Sequence, residues 1–163
     1  MSPVKHHTVI DSPYGPLTLV ADNGVLCGLY MTDQRHRPPQ ETFGDRDDTL
    51  FEEARQQLKA YFAGELKEFT LQLHLHGTPF QRAVWDQLRR IPYGETRSYG
   101  ELADALGNPG ASRAVGLANG KNPIGIIVPC HRVVGADGSL TGYGGGLPRK
   151  RRLLDFERGS ALF

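Results

Sequence analysis

The stretch Ser98-Tyr99-Gly100-Glu101-Leu102-Ala103-Asp104-Ala105-Leu106-Gly107-Asn108-Pro109-Gly110-Ala111-Ser112-Arg113-Ala114-Val115-Gly116-Leu117-Ala118-Asn119-Gly120 decides how the second half of the chain folds. Ser98 and Glu101 have the spacing of a capping box, in which the serine hydroxyl and the glutamate side chain each satisfy a free backbone N–H at a helix start. Leu102, Ala103 and Leu106 follow as the apolar face, and Gly107-Asn108-Pro109-Gly110 is a compact turn. Ala111 to Asn119 is a run of small residues with Arg113 near its start, and Gly120 ends it. Two short helices across a tight turn make a helix-turn-helix candidate over about residues 98–120. Helical hairpins in enzymes share this pattern, so the hairpin alone does not assign DNA binding.

Downstream lies Ile126-Ile127-Val128-Pro129-Cys130-His131-Arg132-Val133-Val134. The β-branched run reads as a buried strand stopped by Pro129. A thiol and an imidazole follow at once. A free cysteine, with a pKa near 8.5, is mostly protonated at neutral pH, so an adjacent base is what a nucleophilic sulfur needs. Gly142-Tyr143-Gly144-Gly145-Gly146 then lets backbone approach a ligand closely, and it contains no Gly-Lys-Ser/Thr phosphate cradle. Pro148 to Glu157 reads as a last helix with Leu153, Leu154 and Phe156 inward. Arg149-Lys150-Arg151-Arg152 crowd its first turn against the helix dipole, which reads either as an external anion nearby or as a solvated basic patch.

Upstream, Thr78-Pro79 is a helix-start pair, with Phe80, Val84, Trp85 and Leu88 as the apolar stripe. A domain boundary is expected near Gly77, giving units 1–77 and 78–163. The first unit reads as a small antiparallel sheet with a helix. Lys5 to Ile10, Leu17 to Val20 and Val25 to Tyr30 are strands, and Asp22-Asn23-Gly24 is a hairpin turn. Residues 32–48 are polar and proline-bearing and read as a loop. Leu50, Ala54, Leu58, Tyr61 and Phe62 fall at helical spacing before Gly64, and Phe69 to Leu75 alternates as another strand.

A chain of 163 residues with 39% hydrophobic and 23% charged residues has the composition of a soluble globular protein. Its longest apolar run, Ile124 to Cys130, is too short to span a bilayer, and the N-terminus lacks a signal-peptide core. A cytoplasmic, reduced setting is expected for its two cysteines, with Cys27 a core thiol. Charge is uneven. Residues 1–77 carry 7 Lys/Arg against 11 Asp/Glu, a balance of −4, and residues 78–163 carry 12 against 7, a balance of +5. The second half is therefore the candidate face for a polyanion.

These segments, taken in order, resemble the O6-alkylguanine-DNA alkyltransferases, or methylated-DNA–protein-cysteine methyltransferases. The similarity is carried by Ile91-Pro92-Tyr93-Gly94-Glu95-Thr96, Ser98-Tyr99, Arg113-Ala114-Val115-Gly116, Asn122-Pro123, Ile127-Val128-Pro129-Cys130-His131-Arg132-Val133-Val134 and Tyr143-Gly144-Gly145-Gly146-Leu147, with a looser match at Asp11 to Leu17. The resemblance implies an α+β fold with a ribonuclease-H-like N-terminal sheet and helix and a C-terminal winged helix-turn-helix-like alkyltransferase domain. It implies single-turnover repair: duplex DNA is bound in the minor groove, an O6-alkylguanine is flipped out, and its alkyl group moves irreversibly to the protein. O4-alkylthymine is a second expected substrate.

By the same resemblance, Cys130 is the acceptor, His131 the base acting through a bound water, Glu157 its orienting carboxylate, Asn122 the brace of the active-site turn, and Tyr99 the hydroxyl beside the flipped base. Arg113 is the finger filling the vacated stack, with Ala111, Ser112, Gly116, Asn119 and Tyr99 as DNA contacts. Val133, Tyr143, Gly144 and Gly145 line the guanine pocket. No cofactor is expected, and a monomer is, while clustering of several copies along DNA stays open. Some members bind a structural zinc in the N-terminal domain through cysteine and histidine. Here Asp22 stands where a ligand cysteine falls and Cys27 where a histidine does, and His6, His7, His74 and His76 lack partners at ligand spacing, so no metal is expected. Gly144 replaces a serine of some members, leaving room for larger alkyl groups. Two other classes remain: a lesion binder that transfers nothing, whose members replace the cysteine, and a cysteine hydrolase, which would need an oxyanion site and a turnover path.

Overall fold

The computed structural model describes residues 4–159, which separate into two compact units divided between His76 and Gly77. The first unit is built on a four-stranded sheet in the order β3-β2-β1-β4, with β1 at Lys5–Ile10, β2 at Leu17–Asp22, β3 at Val25–Met31 and β4 at Asp45–Arg46. β1 and β2 pair antiparallel from Lys5 opposite Asp22 to Ile10 opposite Leu17. The β2–β3 hairpin turns at Asn23 and Gly24, with φ of 51° and 81°, the left-handed pair that a tight two-residue turn needs to match strand twist.

Two expectations fail in this unit. Residues 32–48 are not a plain loop: Gln40–Phe43 forms a 3₁₀ turn, and β4 pairs parallel to β1. Buried Phe43 anchors the segment by stacking on Tyr30, ring centroids 5.5 Å apart. Gly44 permits the approach, since a Cβ there would lie 1.8 Å from the Lys5 carbonyl oxygen. Phe69 to Leu75 is not a strand. It touches β3 through one parallel bridge, Leu26 with Leu73, and through His74 N–H to the Leu26 carbonyl at 2.9 Å. Its odd-numbered residues are half-buried and the even ones exposed. Alternation reports which side chains face inward, whereas a strand also needs a neighbouring backbone along its length. Helix α1, Glu52–Phe62, follows a 3₁₀ turn at Asp48–Phe51 and buries Ala54, Leu58 and Tyr61.

In the second unit, α2 (Pro79–Arg89) starts in a full capping box between Thr78 and Gln81 and buries Val84, Trp85 and Leu88. Phe80, expected in that stripe, is 37% exposed; it lies one turn before Val84, where burial of the helix begins. β5 (Arg97–Ser98) leads into α3 (Tyr99–Ala105), whose Ser98–Glu101 capping box is present. Helix α4 (Ser112–Gly120) packs on both α2 and α3, and Trp85 Nε1 donates to the Ala118 carbonyl at 2.9 Å. β6 (Val133–Val134) pairs parallel to β5, and α5 (Leu147–Glu157) closes the unit. The fold is α+β, with a sheet-based first unit and a helical second unit carrying the helix-turn-helix. Among the described residues, no helix is long and apolar enough to cross a membrane.

Candidate active site

The apolar run before Cys130 is buried, but it is not a strand. Ile127 N–H donates to the Gly125 carbonyl at 2.7 Å across Ile126, whose φ is +69°, and Val128 N–H reaches the Ile124 carbonyl at 2.9 Å. Cys130 N–H then closes on the Val128 carbonyl at 2.8 Å around Pro129, at φ −82° and ψ 65°, the geometry of an inverse γ-turn. Pro123, Gly125 and Pro129 punctuate the run too closely for a ladder, and a short apolar stretch signals burial without specifying extension. Asn122 braces this coil: its Nδ2 donates to the Val128 carbonyl at 2.7 Å and its Oδ1 accepts from Ile124 N–H at 3.0 Å.

Cys130, His131 and Arg132 make one 3₁₀ turn, all three buried. Burial pushes the Cys130 thiol above its ordinary pKa, opposed by a hydrogen bond from Asn122 and by the Lys150 ammonium. The sulfur therefore rests as a thiol and needs a base to react. His131 Nε2 bonds Glu157 Oε2 at 2.8 Å, with both side chains fully buried, and His131 Nδ1 has no protein partner among the described residues. An ionised carboxylate only accepts, so Nε2 carries the proton and Nδ1 is the basic nitrogen. Burial pulls the imidazole below its usual pKa; Glu157 opposes this, while Arg132 and Lys150 add to it. For Glu157, burial alone would raise the pKa, but the charge and hydrogen bonds of His131 and Arg132 hold it well below the usual carboxylate range.

Lys150 departs from the expected solvated cation cluster. It is fully buried, and its Nζ donates to the carbonyls of Val133, Thr141 and Gly142. Burial lowers its pKa to about 8, opposed by the charge on Cys130. The helix places it inward with Leu153 and Leu154, three and four residues on, a periodicity that its charge obscured in the sequence. Tyr99 Oη donates to the same Thr141 carbonyl at 2.9 Å, so helix α3 and the loop of residues 135–146 share an anchor. Tyr143, Gly144 and Gly145 of that loop are half-buried, whereas Val133 is fully buried.

On the hairpin, Ala111 and Ser112 are partly exposed at the start of α4, Arg113 is exposed, and Gly116 packs under the Tyr99 ring, where a Cβ would sit 3.8 Å away. Asn119 is different. It is 3% exposed and its Nδ2 points to the Cys130 carbonyl at 3.4 Å, so it belongs to the support of the active-site turn and not to an outer face.

In the first unit, His74 and His76 do have a carboxylate beside them. One ligand atom each of Asp22, His74 and His76 lies within 4.8 Å of the others, and His76 Nε2 bonds Asp22 Oδ2 at 3.1 Å. Cys27 lies outside this trio, its thiol pushed up to about 11 by burial. A structural zinc takes four closed ligands, thiolates commonly among them, whereas this trio offers two imidazoles and one carboxylate.

The comparisons agree over both units. Residues 5–75 match the family model of the 6-O-methylguanine DNA methyltransferase ribonuclease-like domain, and residues 79–159 match that of the DNA binding domain of the same enzymes. A methylated-DNA–protein-cysteine methyltransferase of Mycobacterium tuberculosis is 60% identical over 156 residues, covering 96% of this chain and 94% of the relative. One of Methanosarcina acetivorans is 50% identical over 153 residues, covering 93% and 97%. The crystal structure of M. tuberculosis OGT in complex with DNA superposes with a TM-score of 0.90 at 59% identity, covering 96% of this chain and 95% of that one. With both family models matched, and a thiol, a neutral imidazole and a buried carboxylate on one turn and one helix, the chain belongs to the 6-O-methylguanine DNA methyltransferase family.

Proposed function

We propose that the protein repairs DNA by direct reversal, moving the alkyl group of O6-alkylguanine in duplex DNA onto Cys130 in a single turnover. The observation that carries this reading is the buried turn that begins at Cys130 and bonds His131 to Glu157 at 2.8 Å. His131 Nδ1 takes the thiol proton through one water. The sulfur attacks the alkyl carbon, the S–C bond forms, and the C–O6 bond breaks with its electron pair staying on the guanine. Tyr99 supplies a proton to ring N1 as charge develops there, and regains one from the protonated histidine through solvent. The products are guanine and an S-alkylcysteine. A thioether offers no leaving group that water displaces at neutral pH, so the protein is consumed.

The second unit would bind the duplex through α3 and α4, with Arg113 entering the stack vacated by the flipped base. An inserted side chain offsets part of the few kcal/mol that extrusion costs. Ala111, Ser112 and Gly116 fit the role of small DNA contacts, and Val133, Tyr143, Gly144 and Gly145 that of the guanine pocket; O4-alkylthymine would occupy the same pocket. The first unit serves as structural support, and the working form is a monomer.

The test is stoichiometric. Protein is incubated with a duplex carrying O6-methylguanine, and protein mass and peptide label are followed. One methyl adduct per chain, on Cys130 and lost in Cys130→Ser, is expected. Turnover beyond one equivalent, or no adduct, overturns the proposal.

A further inference from the structure

Arg132 sits against the same carboxylate that orients the histidine. Its Nε donates to Glu157 Oε1 at 2.8 Å and its Nη2 to Glu157 Oε2 at 2.9 Å, a two-pronged pair, while Nη1 donates to the Ile91 carbonyl at 2.7 Å. Glu157 Oε2 is thereby shared between Arg132 and His131. The guanidinium lies over the Tyr93 ring, 5.8 Å from its centroid, and is 6% exposed. Such a fork is planar and always charged, and a lysine cannot reproduce both prongs. We propose that Arg132 is a positioning residue for alkyl transfer: it fixes the Glu157 carboxylate and shares its charge, so that His131 stays neutral with Nδ1 free to accept the Cys130 proton.

Were Glu157 answerable to His131 alone, a buried full negative charge 2.8 Å from the imidazole would favour imidazolium, which cannot accept a proton. The charged groups acting on His131 are Glu157 and Lys150 from α5 and Arg132 from its own turn, and Tyr93 faces Arg132 and Glu157. Arg132 bonds both oxygens of the carboxylate. Its anchor on Ile91, in the segment after α2, also fixes where Glu157 can sit.

This inference rests on the repair reading above, and the experiment keeps the two apart. Single-turnover adduct formation on O6-methylguanine duplex is measured from pH 5.5 to 9 for the native protein, Arg132→Gln and Arg132→Lys. In parallel, the tautomer and titration of His131 are followed by long-range nitrogen–proton NMR without DNA. Loss of a cation at hydrogen-bond distance is expected to raise the acid-side midpoint of Arg132→Gln by about one pH unit, a rate loss that approaches about tenfold only on the acid limb below both midpoints and vanishes above them. Arg132→Lys is expected to return the midpoint most of the way. A uniform slowing with an unchanged midpoint overturns the proposal, as does a native His131 that is already imidazolium, or carries its proton on Nδ1, at pH 7. If Arg132→Gln does not fold, the native tautomer and titration of His131 decide. Absence of adduct in the native protein at every pH sinks the repair reading, while the NMR titration still judges Arg132.

Discussion

A lysine held only by carbonyl oxygens is unusual, because nothing nearby neutralises it fully. Lys150 donates to Val133, Thr141 and Gly142 and lies close enough to Cys130 for the two charges to act on each other. It therefore pins the loop of residues 135–146 and favours the thiolate over the thiol. Lys150→Met is expected to remove the ammonium donor from the Val133 and Gly142 carbonyls, at about 1–3 kcal/mol each at most, while the Thr141 carbonyl keeps Tyr99, and to lower stability measurably in a denaturant titration. The same variant should shift the rate profile of Cys130 with a small thiol reagent to higher pH; an unshifted profile would show that the ammonium does not act on the sulfur. Arg113 is a contrasting case, exposed and outside this network. Arg113→Ala should slow repair of duplex DNA far more than reaction with a free O6-alkylguanine base, and equal losses on both substrates would remove it from the DNA-inserting role.

At the scale of elements, the turn before Cys130 stores strain in Ile126. A β-branched residue at φ +69° is disfavoured by about 1–2 kcal/mol, yet this side chain is fully buried. Ile126→Ala should cost about 2–5 kcal/mol through the cavity it leaves. Ile126→Gly removes one more carbon but accepts the backbone angle, so it is expected to be no less stable than Ile126→Ala, and to be more stable by up to about 1 kcal/mol. Urea midpoints of the two variants check this; a glycine variant clearly below the alanine one would mean that the turn is not strained. Helix α2 offers a simpler case. Thr78→Ala breaks a capping box and should cost about 1 kcal/mol, with thermal unfolding as the readout.

For the molecule as a whole, acid is the expected weakness. His131 and Glu157 both have folded pKa values below their unfolded ones, so the folded state binds fewer protons than the unfolded chain. Their stabilisation is complete above about pH 6.5, the ordinary histidine value, and is lost as pH falls: first through the histidine window, then below about pH 4.3 as the carboxylate is forced to protonate. Melting temperature should fall steadily from pH 7 to pH 4. Glu157→Gln should flatten the lower part of that slope while destabilising the protein at pH 7 by about 3–5 kcal/mol, because it strands the buried Arg132. A melting temperature independent of pH across this range would contradict the arrangement. Local signals were legible in the chain because each concerns neighbours a few residues apart. Thr78 with Gln81, Ser98 with Glu101, and Asn23-Gly24 each satisfy or bend backbone within one turn. The order of motifs likewise pointed to the family and to Cys130, His131 and Glu157. By itself, then, the sequence determined the helix starts at Thr78 and Ser98, the hairpin, the α+β class and the thiol proposed to react. Tertiary structure alone decided that Ile124 to Val128 coils, that Lys150 and Asn119 turn inward, that Phe69 to Leu75 lacks a strand partner, and that Arg132 shares Glu157 with His131. Those outcomes depend on which carbonyls and charges arrive from 17, 25 or 41 residues away, and a buried polar group takes its position from its partners and not from its own neighbours in sequence.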